Sequence, residues 1–168
     1  MLALPRPGIV SIKPVGAFDI GRLARLHRAC FEDAWSRADL AQLLSLPGGF
    51  GLIARMFDRG LAGLDAMRGV GFCLGRVVRD ESELLSIGVL PHYRGRRVGS
   101  ALLEAAMGKA SRAGARTMFL EVAVDNREAQ ALYTQHGFQS VGTRLDYYQR
   151  GDGHRVSAYT MRVELAEP

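Results

Sequence analysis

The chain has 168 residues, 48% of them hydrophobic, and a formal net charge of +5, a size that gives one domain with a real core and excludes a second. No apolar run approaches the roughly 20 residues that span a bilayer, and the start MLALPRPG lacks the charged head and long apolar stretch of a secretory signal, so a cytoplasmic protein with no membrane partner is expected. Two cysteines, Cys30 and Cys73, provide neither metal-ligand spacing nor a disulfide framework and are expected to be buried, inert thiols.

Ile9 to Lys13 reads as a first strand closed by Pro14. Asp19 can cap a following helix in which Ile20, Leu23, Leu26 and Cys30 recur at helical spacing as far as Phe31. Ser36 caps a further helix carrying Leu40, Leu43 and Leu44, stopped by Pro47-Gly48-Gly49. Phe50 to Phe57 and Val70 to Val78 read as strands separated by a Gly60 to Gly69 loop, and Glu83 to Val89 as the strand pairing with the second of them.

From Val98 to Gly114 the pattern is helical, and Thr117 to Val124 is a short apolar strand interrupted only by Glu121. A buried strand carrying one carboxylate is unusual. Asn126 caps a short helix through Tyr133 that Gly137 ends, and Phe138 to Tyr148 and Val156 to Leu165 are two last strands around the turn at Arg150 to Gly153. The fold class is α/β. A right-handed crossover through the Val98 helix makes its two flanking strands parallel within an otherwise antiparallel sheet.

Of the 22 basic residues 20 are arginine, scattered along the chain except for Arg94, Arg96 and Arg97. Those three lie in a glycine-containing turn between a strand end and a helix start, the outline of an anion site. Unpaired N–H groups of a first helical turn, close approach at glycine and forked guanidinium contacts all suit phosphate. An ordinary strand-to-helix turn with solvated arginines would read the same way, since glycine spacings are weak evidence. On spacing alone, Glu121 is equally a solvent-facing carboxylate on the open side of the sheet and Tyr133 a core aromatic. Alternation along a strand puts Tyr147 and Tyr148 on opposite sides, so that at least one covers the sheet or lines a groove. His92, His136 and His154 have no metal-ligand spacing and read as surface or turn residues.

Leu120-Glu121-Val122, Asn126 with Ala129, Leu132 and Tyr133, and His136-Gly137-Phe138, taken with the Arg94 to Gly99 turn, resemble the GCN5-related N-acetyltransferase superfamily. Together with Tyr147-Tyr148 and Asp152-Gly153 they are similar to its ribosomal-protein alanine N-acetyltransferase (RimI-like) branch, over about Leu84 to Met161.

The resemblance implies a single domain over 1–168, with an N-terminal β-α-α-β-β part at 9–80 and an acetyl-CoA-binding and catalytic part at 81–165. It implies a mixed, mostly antiparallel sheet with helices on both faces and a split between two central parallel strands. Acetyl-CoA would lie in that split, its pantetheine arm on main-chain groups of Ile87, Gly88 and Val89. Its pyrophosphate would sit on the turn of Arg94, Gly95, Arg96, Arg97, Val98, Gly99 and Ser100, and Asn126 would bond the arm further along. Glu121 would be the general base, Tyr133 the donor to the leaving thiolate, and no metal would be needed.

Two departures stand out. Arg97 replaces the first glycine of the phosphate turn, a change compatible with contact through the backbone N–H if the side chain points to solvent. Gln149 follows Tyr148 where the pattern has proline, and His154-Arg155 follow Gly153 where it has acidic residues, so the acceptor surface is expected to be less acidic.

The expected reaction is transfer of an acetyl group to the N-terminal amine of a protein, a ribosomal protein starting with a small residue. An α-amino group with a pKa near ~7.8 is about a tenth to a fifth neutral at pH 7, and a lysine near ~10.4 is neutral in under ~0.1% of molecules. The alternatives are acetylation of a small-molecule amine or lysine side chain, a non-catalytic acetyl-CoA-binding module, or a basic domain contacting ribosomal RNA. Retention of both Glu121 and Tyr133 argues against the module. The absence of aromatics interleaved on a basic face argues against direct nucleic-acid binding.

Overall fold

The computed structural model of the chain describes residues 10–59, 65–151 and 153–167. Within the expected segments, Ile9, residues 60–64 and Asp152 lie outside the described residues. The elements in chain order are β1 (Val10–Pro14), α1 (Ile20–Cys30), α2 (Arg37–Ser45), β2 (Gly49–Arg59), β3 (Asp65–Val78) and β4 (Glu81–Val89), then α3 (Val98–Arg112), β5 (Thr117–Ala123), α4 (Arg127–Gln135), β6 (Gln139–Gln149) and β7 (Arg155–Glu164). The strands form one seven-stranded sheet in the order β1-β2-β3-β4-β5-β7-β6. All neighbours are antiparallel except β4 and β5, which the α3 crossover makes parallel. The mixed α/β class expected from the sequence is the class observed.

The helices divide between the two faces. Leu23, Leu26 and Leu40 of α1 and α2 are buried with Ile53, Phe72 and Leu74 on one face. Val98, Leu102, Leu103 and Ala106 of α3 and Tyr133 of α4 are buried on the other with Leu52, Cys73, Leu84, Met118, Leu120 and Val122. Alternation explains the assignment, because Phe72 and Cys73, or Leu120 and Glu121, point to opposite sides of the sheet. α1 and α2 contact β2, β3 and β4. Glu121 therefore emerges from β5 on their side of the sheet but beyond the strands they contact.

Local signals account for most boundaries. Ser36 Oγ accepts the Asp39 N–H at 3.1 Å, and Asp39 Oδ2 accepts the Ser36 N–H at 2.9 Å, a reciprocal box that starts α2. Gly114 and Gly137, with φ of 96° and 86°, follow the ends of α3 and α4. Three expectations need correction. Asp19 does not cap α1 with its side chain: Oδ2 accepts the Gly16 N–H at 3.2 Å, and Oδ1 is held by Arg22 and Arg55 at 3.0 and 3.2 Å. The loop expected up to Gly69 is shorter, because Asp65 to Gly69 continue β3 and pair with Arg55 to Arg59 of β2 across a bulge at Ala54/Arg55. The third correction concerns the paired tyrosines of β6, where the strand register breaks between Arg144 and Tyr148.

His27 carried no signal in the sequence, yet it is 3% exposed in the α1–α2 core. Its ring lies 4.9, 5.1 and 5.2 Å from those of Phe31, Trp35 and Phe72, and its Nδ1 accepts the Trp35 N–H at 3.3 Å. Burial pushes its pKa below the ordinary value of 6.5, which keeps the ring neutral and Nδ1 an acceptor. Cys73 is fully buried and its thiol is pushed up to about 12 by that burial. Cys30 is only half-buried, and partial desolvation raises it too, against the pull of Arg94.

Among the described residues no helix is long and apolar enough to cross a membrane, and no group of three His, Cys, Asp or Glu could hold a metal ion.

Candidate active site

The site begins as a defect in the sheet. β4 and β5 pair over only four positions, Glu81↔Thr117 to Leu84↔Leu120, after which the strands part. On the other side of β4 the register with β3 slips: Leu74 pairs with Ser86 and Gly75 with Leu84, leaving Leu85 as an extra residue. A bulge bends its strand and sharpens the twist, so β4 swings away from β5 where the bulge occurs. Beyond it, Ile87, Gly88 and Val89 still pair with Cys73, Phe72 and Gly71 of β3, but their β5-facing edge has no strand opposite. That edge offers main-chain donors and acceptors to whatever occupies the split.

Gly88 is where two layers touch. A Cβ there would lie 2.8 Å from Phe72 Cε1, closer than real contacts allow, and 3.0 Å from Cys30 Cβ and 3.1 Å from Cys30 Sγ, tight enough that those atoms must give way. The resemblance implies a ligand contact through the Gly88 main chain, but the register turns the Gly88 N–H and C=O to Phe72 of β3 and leaves those of Ile87 and Val89 facing the split, while α1 sits directly on Gly88.

The phosphate-type turn lies at the same end of the sheet, where a parallel sheet places the carboxyl ends of its strands and the amino ends of the following helices. The first main-chain bond of α3 runs from Ala101 N–H to Arg97 O at 3.0 Å, so the N–H groups of Val98, Gly99 and Ser100 have no intrahelical acceptor. A helix start carries about half a positive charge, and Arg94, Arg96 and Arg97 are exposed around it. Arg94 is partly committed, its Nε donating to Val89 O at 3.2 Å, and Arg96 lies 5.4 Å over the Tyr93 ring. Gly99 also approaches α4 closely, a Cβ there falling 3.3 Å from Leu132 Cδ2.

The two residues of the turn with positive φ are Gly95 at 71° and Arg97 at 61°. Arg97 therefore occupies the left-handed conformation that a side chain disfavours by about 1 kcal/mol or more. This is the physical reason for a glycine at this position, and the cost of departing from it.

The second helix start at this end belongs to α4. Asn126 Oδ1 accepts the Ala129 N–H at 3.1 Å, so its carbonyl serves as the cap. Gln130 Nε2 ties down the approach to the helix through Ala123 O and Val124 O at 2.9 and 3.1 Å, a role no sequence pattern announced.

Glu121 of β5 sits directly opposite Thr160 of β7, whose Oγ is 3.0 Å from both carboxylate oxygens. Arg144 Nη1 reaches Oε1 at 3.4 Å, and the pair differs sharply in exposure, 57% for the arginine side chain and 13% for the glutamate. Glu83 shares this side of the sheet. Partial desolvation and then the Glu121 carboxylate raise its pKa, while Arg144 and Arg76 pull it down. Thr160, Arg144 and Glu83 were all missed in the sequence. Their only link to Glu121 is long-range pairing, which leaves no local pattern.

Tyr147 and Tyr148 do not lie on opposite sides of β6 as alternation required. The register of β6 against β7 breaks between Arg144 and Tyr148, and Asp146 takes a φ of 51°. The two rings meet edge to face at 4.9 Å, and Arg144 lies 4.7 Å over Tyr147. Tyr148 donates its phenol hydrogen to the main-chain O of Glu121 at 3.1 Å. Burial, Tyr147 and Glu121 push its pKa up to about 12, so it is a donor at neutral pH.

Tyr133 is 5% exposed on the α3–α4 side, its ring 5.8 Å from Phe138. Burial, then Tyr148 and Cys73, raise its pKa above the ordinary 10. It is a core aromatic whose phenol stays protonated at neutral pH. Glu121 and Tyr133 thus flank the split from opposite faces of the sheet.

His92 and His154 are exposed as expected, but His136 is half-buried: Nδ1 is 2.8 Å from Leu132 O and Nε2 is 3.2 Å from Glu104 Oε1, joining α4 to α3.

The model of the acetyltransferase (GNAT) family matches residues 20–138 of this chain. The chain is 37% identical over 163 residues to the N-alpha-acetyltransferase RimI of Mycobacterium tuberculosis, covering 95% of each. It is 39% identical over 95 residues to the ribosomal protein bS18-alanine N-acetyltransferase of Escherichia coli strain K12, covering 56% of this chain and 64% of that one. The crystal structure of the Escherichia coli ribosomal-protein alanine N-acetyltransferase superposes with a TM-score of 0.79 at 26% identity, over 95% of this chain and 96% of that one. The β4 edge with no strand opposite, the N–H groups of α3 without an intrahelical acceptor and the arginines around them suit a phosphorylated, amide-bearing ligand such as acetyl-CoA. The chain belongs to the acetyltransferase (GNAT) family and is an acetyl-CoA-dependent N-acetyltransferase.

Proposed function

We propose that this enzyme acetylates the N-terminal α-amino group of a protein in the cytoplasm, with the bacterial ribosomal protein bS18 or another ribosomal protein beginning with a small residue as the acceptor. The single observation that carries the reading is the Glu121 carboxylate, shielded and held by Thr160 on the side of the split not contacted by α1 and α2. The full-length similarity to the mycobacterial N-alpha-acetyltransferase and the name of the Escherichia coli relative support the choice of acceptor. The continuous sheet supports treating the chain as one catalytic domain.

Acetyl-CoA supplies an acetyl group already activated as a thioester. The residues that would hold it are Ile87 and Val89 through their main chain, with Gly88 between them giving room beneath α1, the Arg94 to Ser100 turn, and Asn126 through the part of its amide not used in capping. An acceptor amine arriving from the open face meets Glu121, which takes the proton released as the C–N bond forms. Tyr133 is the proton source on the opposite face, its phenol kept protonated by burial.

The Arg144 guanidinium beside Glu121 supports the preference for an α-amine. A fixed positive charge disfavours an acceptor that arrives as an ammonium. The α-amino group loses its proton about 2.6 pH units before lysine does.

The test is CoA release from acetyl-CoA with a short peptide starting Ala-Arg, set against its N-terminally blocked form and a peptide whose only amine is a lysine. Turnover with the free N-terminus alone is the expected result, and Glu121→Gln should lower that turnover about a hundredfold with acetyl-CoA affinity unchanged. Equal turnover of the blocked or lysine peptide would refute the acceptor, and full activity of Glu121→Gln would refute the base.

A further inference from the structure

The proton acceptor in this site is a flexible glutamate on a strand facing an open groove. A carboxylate works as a base only if one oxygen is presented in a fixed direction, because small misplacements of a catalytic group are costly in rate. Among the described residues two side chains hydrogen-bond to the Glu121 carboxylate. Arg144 makes a long contact to Oε1 alone and is more than half exposed, and ion pairs of that kind are weak and screened. It is also engaged with the Tyr147 ring. Thr160 is half-buried, stands directly across the strand pair, and places its hydroxyl equidistant from Oε1 and Oε2. A β-branched residue has few side-chain rotamers, so its hydroxyl is a fixed point against which the glutamate can be set.

We infer that Thr160 is the positioning residue for Glu121: its hydroxyl fixes the carboxylate so that Oε2, the oxygen without a guanidinium, is the one presented to the acceptor amine. The inference rests on the reading of Glu121 as the base. Thr160 lies 3.0 Å from both oxygens and Arg144 reaches only Oε1, which leaves Oε2 less engaged and the better proton acceptor. A neutral hydroxyl orients the carboxylate with less loss of basicity than a second cation would cause. Tyr148 holds the same residue by its main-chain O, so Glu121 is secured at the backbone by a phenol and at the carboxylate by a hydroxyl. Glu83 on β4 is the other anion facing this group, and Arg144 is positioned between the demands of the two.

Thr160→Val is close in shape, favours a strand and removes only the hydroxyl. Steady-state kinetics with acetyl-CoA and the Ala-Arg peptide should show kcat falling about tenfold, with both KM values within about twofold of the parent. Thr160→Ser, which retains the hydroxyl, should recover kcat to within about threefold. The Glu121→Gln background separates the inference from the reading beneath it. There Thr160→Val should have no further effect, because no base is left to position. If Thr160→Val does not fold, Thr160→Ala is read in the same assays. A kcat within twofold of the parent in Thr160→Val or Thr160→Ala, with Glu121→Gln severely impaired, overturns the positioning role and leaves Glu121 as the base. An equal loss from Thr160→Val with and without Glu121 overturns it too, by exposing a structural effect. Full activity of Glu121→Gln overturns both.

Discussion

Arg97 holds a left-handed conformation, φ 61°, at the start of α3, with its side chain exposed. Replacing it by glycine relieves a steric cost of about 1–2 kcal/mol, offset in part by the greater freedom of glycine in the unfolded chain. Glycine is also an acceptable N-cap. A net gain of about 1 kcal/mol follows. At about 2.1 cal/mol/K per residue, the 168-residue chain has an unfolding entropy near ~0.35 kcal/mol/K, so the melting midpoint should rise by about 3 °C. Arg97→Ala is the necessary partner, since it removes the same charge and keeps the strained backbone; its midpoint should stay within about 1 °C of the parent. Thermal unfolding followed by circular dichroism reads the difference. Acetyl-CoA titration on the same samples should show Kd rising less than about threefold in both variants, as expected when this position contacts phosphate through its N–H. If Arg97→Gly is no more stable than Arg97→Ala, the strain argument fails. If both lose affinity more than tenfold, the guanidinium and not the backbone makes the contact.

Gly88→Ala should cost about 1–3 kcal/mol by overpacking, because its methyl would meet Phe72 and Cys30 within about 3 Å; denaturant titration of the free enzyme checks this without involving ligand. The His27 ring should make stability fall in mild acid. Its folded-state pKa lies below the ordinary value, so the unfolded chain binds the extra proton and stability is lost as pH drops below about 6.5, by up to ~1.4 kcal/mol per pH unit. Melting curves from pH 7.5 to 5.5 should show a smaller loss in His27→Asn, which keeps an acceptor for the Trp35 N–H; an equal loss would assign the effect elsewhere. Tyr133→Phe should keep the fold, since its ring packs on Phe138. It should slow turnover about tenfold or more, with a single-turnover assay placing the loss in CoA release.

The elements and their order were legible because their determinants are local. Ser36 with Asp39, the glycines after α3 and α4, and the apolar spacing of α1 and α3 can each be read within a few residues. The crossover rule then required the one parallel pair. The arrangement around Glu121 was not legible in this way. Thr160 is 39 residues away and Arg144 is 23. The break in β6 that brings Tyr147 beside Tyr148 depends on a left-handed aspartate that no turn pattern marks. His27 was invisible because a histidine at a helical core position looks like any other polar interruption until three rings are seen around it. Asp19 misled because its side chain had two arginines to choose as well as a helix start.

The parting of β4 from β5 leaves a recognition surface made of peptide groups. Such a surface keeps its chemistry under any single substitution other than proline, which alone removes an N–H; otherwise only a change of backbone path can delete it. The surface therefore depends on the residues that keep β4 bent, the extra Leu85 and the glycine beneath α1, more than on the side chains that line it. A site built this way is set by the fold, and the fold is shared with the Escherichia coli enzyme at 26% identity.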